Sequence, residues 1–194
     1  MNWYKCIGNN GGGGGITPVF KNYAKFNGNG VNLPWTQDAD YKLECVFYEA
    51  EYRHDTCITG NSGGYTQGQY IAPYNTRFDV GVGNGFSNLG SWSAGEHTYI
   101  NNDEDNKSTL DGTASANYIP TTNNYYYTLG CRENGSMGYY GYIKSFKIYS
   151  KSTGDLLHHL KPCLLGNLAV FCDVADNNNF YAISGLQAVD SIPS

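Results

Sequence analysis

Two groups of carboxylates stand close enough in the sequence to suggest acid–base chemistry. Glu49 and Glu51 are two apart, and on a β-strand residues i and i+2 share a face. Paired carboxyls on one face are the equipment of a glycosidase. No third acid follows them in register, and one of the two stands equally well at a strand end. The second group, Asp103-Glu104-Asp105, lies inside the polar run 101–106 and reads as a solvated turn. His54, His97, His158 and His159 offer bases, but no Gly-x-Ser-x-Gly elbow surrounds a serine to be activated. His158 and His159, adjacent on a strand, would face opposite sides and share no metal. The six cysteines, Cys6, Cys45, Cys57, Cys131, Cys163 and Cys172, include no close CxxC pair, which argues against zinc ribbons and redox motifs. They are expected to be free and mostly buried, as the apolar run around Cys45 suggests. No catalytic residue, metal or cofactor is therefore expected.

Recognition chemistry is better represented. Sugars present apolar CH faces and rings of hydroxyls, which proteins meet with an exposed aromatic ring and amide or carboxylate hydrogen bonds. The segments 60–69, 83–95 and 131–140 mix Tyr, Trp, Asn and Gly. They supply the carbohydrate-binding candidates Tyr65, Trp92, Asn134, Tyr139 and Tyr140. The competing expectation is that such rings simply cover a sheet face.

The elements that must carry these loops are strands. The chain of 194 residues holds 25 Gly and 18 Tyr, yet only 15% of it is charged. Tyr and Thr suit a pleated, half-buried surface, while Gly and Asn supply turns. Strands are expected at 23–26, 31–34, 41–49, 56–59, 69–72, 77–82, 97–100, 107–110, 125–129, 141–149, 168–172 and 179–181. Turn signals separate them, Asp111-Gly112 being the strongest, and Asp176 to Asn179 reads as another. The stretch 83–95 reads as loop. No amphipathic helix is convincing; Leu156 to Leu160 could make one short turn. This pattern predicts an all-β fold, a sandwich or barrel. Ile143, Phe146, Ile148 and Tyr149 cannot all point inward from a regular strand, so a bulge or a solvated aromatic is implied. Residues 1–15, with Gly11 to Gly15, read as a flexible N-terminal arm and linker, and 16–194 as one domain. The net charge of −5 comes with no basic stripe, which argues against nucleic acid and anionic membranes. No apolar run approaches the ~20 residues of a membrane span. The N-terminus lacks the apolar stretch of a secretory signal.

Three segments in order resemble laminin-G-like, concanavalin A-like jelly rolls. Phe26 to Pro34 is similar to the opening FDGxGDYVxLP strand. Gly95 to Ile100 with Ser108 to Thr113 is similar to the central WHHVA…LYVDGxL pair. Tyr127 to Gly130 with Tyr140 to Tyr149 is similar to the closing LxIG…FxGxIDDVRIY. The resemblance implies a two-sheet antiparallel β-sandwich of the jelly-roll type. Many such domains hold calcium between the first Asp of the opening segment and the acids of the closing one. Asn27 and Lys144-Ser145 stand at those positions, so no calcium is expected there. The tail, Gly154 to Cys163 followed by Val170 to Tyr181, resembles a recurrent ending of lectin-like domains in bacteriophage virion proteins. It implies a non-enzymatic virion surface protein, assembled in a host cytoplasm, for host-glycan adhesion or for capsid or fibre decoration. Its partners would be other virion proteins through the N-terminal arm, a host-surface glycan, and further copies in a homo-oligomer. A cellular carbohydrate-binding protein and a glycoside hydrolase are the alternatives.

Overall fold

The computed structural model describes residues 17–61, 69–82, 85–117, 119, 122, 124–131, 136–176 and 179–192. The expected arm 1–15 and the candidates Tyr65 and Asn134 lie outside them. No helix occurs among the described residues. The strands are Val19–Phe20 (β1), Tyr23–Lys25 (β2), Val31–Thr36 (β3), Tyr41–Glu49 (β4), Thr59–Asn61 (β5), Gln69–Tyr74 (β6), Arg77–Val82 (β7), Gly85–Ser91 (β8) and Gly95–Asn101 (β9). They continue with Lys107–Leu110 (β10), Ala114–Asn117 (β11), Tyr126–Leu129 (β12), Tyr142–Ser150 (β13), Leu156–Leu165 (β14), Leu168–Asp173 (β15), Asn179–Ala182 (β16) and Gln187–Val189 (β17).

All strand pairs are antiparallel, in two sheets. The larger has eleven strands in the order β11-β10-β9-β4-β13-β14-β15-β16, with β1 on β14, β2 on β13 and β17 on β2. The smaller has six, in the order β3-β12-β5-β6-β7-β8. They face each other across one core, as a β-sandwich. Alternation builds that core: Leu43, Cys45, Phe47 and Glu49 of β4 point inward, and the residues between them do not. Phe47 meets Phe78 of the opposite sheet edge-on, with centroids 5.9 Å apart, and Phe146 meets Tyr127 at 6.3 Å. Each of these phenylalanines is fully buried, contributing about 1.5–3 kcal/mol through loss of apolar contact with water.

The central strand β13 buries Ile143, Phe146 and Ile148 together. It does so through a β-bulge. Ile143 pairs with Phe47 and Ser145 with Val46, so Lys144 is an extra residue in the ladder. Beyond it the ladder with β14 shifts again between Ile148 and Tyr149, and Tyr149 stays only half-buried.

Two expectations are corrected. Leu156 to Leu160 is no helical turn: it opens the ten-residue strand β14, flanked by β13 and β15. Segment 83–95 is not wholly loop, since β8 pairs with β7 along the edge of the smaller sheet. Cys45, Cys57, Cys131, Cys163 and Cys172 are buried thiols, and no disulfide joins them to one another, as expected. Burial pushes the Cys131 thiol up to about 12, which keeps it unreactive.

Gly130 follows β12 at φ 72°, and a Cβ there would lie 2.3 Å from the Phe26 ring. Gly154 has a similar φ, 78°, in open space. Gly154→Ala should therefore cost only the left-handed backbone penalty, about 1 kcal/mol. Gly130→Ala must also displace a core phenylalanine and should cost about 3 kcal/mol or more. Urea denaturation of the two variants checks this; equal losses would mean that the Phe26 contact does not restrain position 130.

Candidate functional site

Among the described residues, two prominent hollows draw on the same two connections, 50–57 and 136–141. The second connection is tightly placed. It runs beside Phe26 to Gly28, with Phe26 N–H on the Gly141 carbonyl (2.8 Å) and Gly28 N–H on the Tyr139 carbonyl (2.7 Å). The approach is so close that a Cβ at Gly138 would lie 1.9 Å from the Gly28 oxygen. Extended backbone held in this way sends successive side chains to opposite sides. Tyr139 turns in and is buried; Tyr140 turns out and is 44% exposed.

Tyr140 walls the larger hollow, about 370 Å³, together with Lys25, Asn27, Glu51, Arg53 and Tyr142. The Arg53 guanidinium lies 4.6 Å from the Tyr140 ring centroid, a cation–π contact. Its Nε also donates to Glu51 Oε1 at 2.8 Å. The exposed ring thus stands beside a fixed ion pair with donors and acceptors to spare.

The smaller hollow, about 230 Å³, lies on the outward face of the six-stranded sheet. Phe78 and Val80 of β7 face the core, so Arg77 and Asp79 face out. Arg77 Nε and Nη2 reach Asp79 Oδ1 and Oδ2 at 2.7 and 3.1 Å, a two-pronged pair. The Asp79 carboxylate raises the Arg77 pKa. Tyr74 and Phe86, 38% and 47% exposed, flank this pair. Asp55 and Met137 complete the wall.

Of the described candidates Tyr139, Tyr140 and Trp92, Tyr140 lines one of these hollows. Tyr139 is a core residue, 1% exposed and packed against Phe26, which corrects its expected place on a binding platform. Trp92 is half-buried and packs against the core and edge-on to Tyr52, at 5.6 Å; its indole nitrogen is inside. The segment 83–95 contributes Phe86 instead. Arg53, Asn27, Lys25, Tyr74, Arg77 and Asp79 were not among the candidates.

Glu49 and Glu51 do not form a pair. Strand β4 ends at Glu49, whose side chain points into the core, whereas Glu51 lies in the solvent on Arg53. Asp103 caps its own turn, accepting the Asp105 and Lys107 amides at 3.0 and 2.8 Å, and Glu104 pairs with Lys42. Where the resemblance would place calcium ligands, Asn27 turns its amide to the Gly185 carbonyl (3.4 Å) and Lys144 its ammonium to Glu96 (3.0 Å). Among the described residues one group has the donor set for a metal ion, His158, Asp173 and Asp176. None of the three lines either hollow.

Glu49 is nonetheless the most perturbed carboxyl described. Burial raises its pKa to about 7, against smaller opposing pulls from Tyr139, Trp92 and His97. Neither Tyr139 nor Trp92 makes a well-formed hydrogen bond to Oε1. Tyr139 gives its hydroxyl proton to the Tyr48 carbonyl (3.1 Å), and both Glu49 Oε1 and Trp92 Nε1 are buried without a partner. An uncompensated carboxylate in such a place favours its neutral form.

The chain matches no protein-family model and none of the curated proteins.

Glu49 makes stability depend on pH. Its carboxyl titrates near 4.5 when unfolded and near about 7 when folded. Between those values only the folded chain holds the proton, so the contribution is full below 4.5 and is lost as pH rises to 7. The loss is on the order of 3 kcal/mol. Glu49→Gln should remove that part of the slope and be the more stable chain at pH 8. Denaturation of both chains at pH 5 and pH 8 tests this, and parallel slopes would exclude Glu49 as the titrating group.

Proposed function

We propose that this protein is a non-enzymatic carbohydrate-binding module of a phage virion surface, a jelly roll whose two hollows are glycan subsites. One observation carries the binding reading. Each hollow sets an exposed aromatic ring beside an Arg–carboxylate pair: Tyr140 with Arg53 and Glu51, and Phe86 and Tyr74 with Arg77 and Asp79. A pyranose needs a ring surface for its CH face and rigid donors and acceptors for adjacent hydroxyls. In each pair the carboxylate cancels the arginine charge, so the pair itself favours neutral sugars, and Lys25 and Asp55 are the charges left at the rims of the larger and the smaller hollow.

The virion assignment rests on the resemblance of the tail segments 154–163 and 170–181 to phage lectin-like endings. In that setting the arm 1–15 would attach the module to other virion proteins. Against hydrolysis stands the separation of Glu49 from Glu51, since both glycosidase mechanisms need two carboxyls flanking one bond.

A glycan array followed by titration calorimetry tests the proposal. Neutral glycans should bind, and Tyr140→Ala or Phe86→Ala should each weaken binding at least about tenfold, the loss of roughly 1.4 kcal/mol of ring contact. Both rings are exposed, so the melting temperature should hardly move. An array without signal would leave surface decoration as the role, and turnover of a polysaccharide would restore the enzyme. Mass spectrometry of purified virions checks the location.

A further inference from the structure

Strands β14 and β15 form a hairpin in register from Leu165↔Leu168 to Leu160↔Asp173. At its open end His158 Nδ1 lies 2.8 Å from Asp173 Oδ2. The other oxygen of Asp173 accepts two backbone amides, His159 N–H at 2.8 Å and Ala175 N–H at 3.2 Å. Those amides fix the carboxylate and aim Oδ2 at the imidazole. Trp35, from β3 of the opposite sheet, stacks on that imidazole with centroids 3.7 Å apart and planes 24° apart. Asp176 joins from the following turn, where Asn179 Nδ2 donates to it at 3.2 Å. Ligand atoms of His158, Asp173 and Asp176 all lie within 4.8 Å of one another.

An internal control shows what the pair does alone. His97 Nδ1 lies 2.8 Å from Asp111 Oδ2, and Asp111 Oδ1 accepts the Thr98 amide at 2.8 Å. This is the same arrangement on β9 and the turn after β10. Its second ring nitrogen meets the Ser93 carbonyl at 2.9 Å, and no second carboxylate joins it among the described residues. A His–Asp staple between strands therefore needs no second acid. At His158 a second acid, Asp176, is present beside an Asp173 that is fully buried. Asp176 thus adds a second carboxylate oxygen to an imidazole–carboxylate pair, the donor set that a divalent cation can bridge.

We propose that His158, Asp173 and Asp176 form a binding site for a divalent transition-metal ion of the zinc or manganese type. One imidazole nitrogen with two carboxylates suits such ions, whereas calcium and magnesium prefer all-oxygen cages. The 2.8 Å between Nδ1 and Oδ2 is a hydrogen-bond length; donors held ~2.1 Å from one tetrahedral ion stand ~3.4 Å apart, so an ion entering here parts the two by about half an ångström. Ion entry at Nδ1 requires the neutral ring protonated at Nε2, so the proton that Nδ1 shares with Asp173 passes to Nε2, or to solvent where both ring nitrogens carry one. The two amides on Asp173, the Trp35 stack and the Asn179 contact are the outer supports that hold such ligands in place. The ion would pin β14, β15 and the turn after them to Trp35 of the other sheet.

The test is calorimetric titration of the full chain, stripped with EDTA, with ZnCl2, MnCl2 and CaCl2 separately. One equivalent of zinc or manganese should bind with a Kd of about 10 µM or tighter, with a rise in melting temperature. Asp176→Asn, a change at a half-buried turn residue, should weaken binding at least about tenfold, as should His158→Gln. Asp111→Asn, at the twin staple, should leave it unchanged. Absorption of the cobalt-loaded chain should report nitrogen and oxygen ligation. Binding weaker than about 1 mM, equal binding by the Asp176 and His158 variants, or a preference for calcium would each overturn the proposal.

Discussion

A β-strand alternates its side chains with a period of two, and β13 has to bury Ile143, Phe146 and Ile148 on one face. The spacing from 143 to 146 breaks the alternation, and the extra residue Lys144 restores it. Much of the structure follows from that one insertion. On its far side Phe146 reaches Tyr127 and closes the two sheets on each other. On its near side Tyr142 and Ile143 pair with β2, which brings the connection 138–141 against Phe26 to Gly28. Ile148, one step before the second shift, pairs with His158 and so sets the start of β14. Lys144 itself leaves the core face and takes Glu96 at the surface. Both the rim around Tyr140 and the hairpin that carries His158 are thus phased by β13.

The bulge was legible in the sequence because it is a local contradiction: four large residues at spacings that no regular strand can bury. Strand β4 was legible as a long apolar-rich run, although Val46 and Tyr48 hide in the sequence the strict alternation that its burial shows. The hairpin at Asp111-Gly112 was legible because positive φ values, 53° and 69°, need those residue types. Strand β14 was not. Leu156-Leu157-His158-His159-Leu160 suits a helical turn as well as a strand, and its ladder partners on β13 and β15 decide between them. Strand β8 was missed because Gly, Ser and Asn have low strand propensity. As an edge strand bonded only to β7, it tolerates them.

The same division runs through the candidate site. An aromatic in a Gly- and Asn-rich connection is visible in sequence, and Tyr140 was found that way. Tyr139 carries the same signal, and only the direction of the backbone at 138–141 separates the buried ring from the exposed one. The partners of Tyr140 left no trace that sequence could join to it. Arg53 and Glu51 arrive from the connection after β4 and Asn27 from the one after β2, brought together by sheet pairing. Arg77 and Asp79 do carry a readable mark, opposite charges two apart on a strand whose other face is Phe78 and Val80.

Glu49 and Glu51 show how alternation and strand length together decide chemistry. Had β4 run two residues further, both carboxyls would face the core. Because it ends at Glu49, the first stays among Trp92, Tyr139 and His97 as a largely neutral group at mildly acid pH, and the second turns out to Arg53. Glu49 lines neither of the two hollows described. An exposed carboxylate locked to an arginine makes a poor nucleophile but a good hydrogen-bond acceptor of fixed direction. The geometry that keeps the two acids apart also leaves Glu51 and Arg53 beside Tyr140, the juxtaposition on which the proposed binding reading rests.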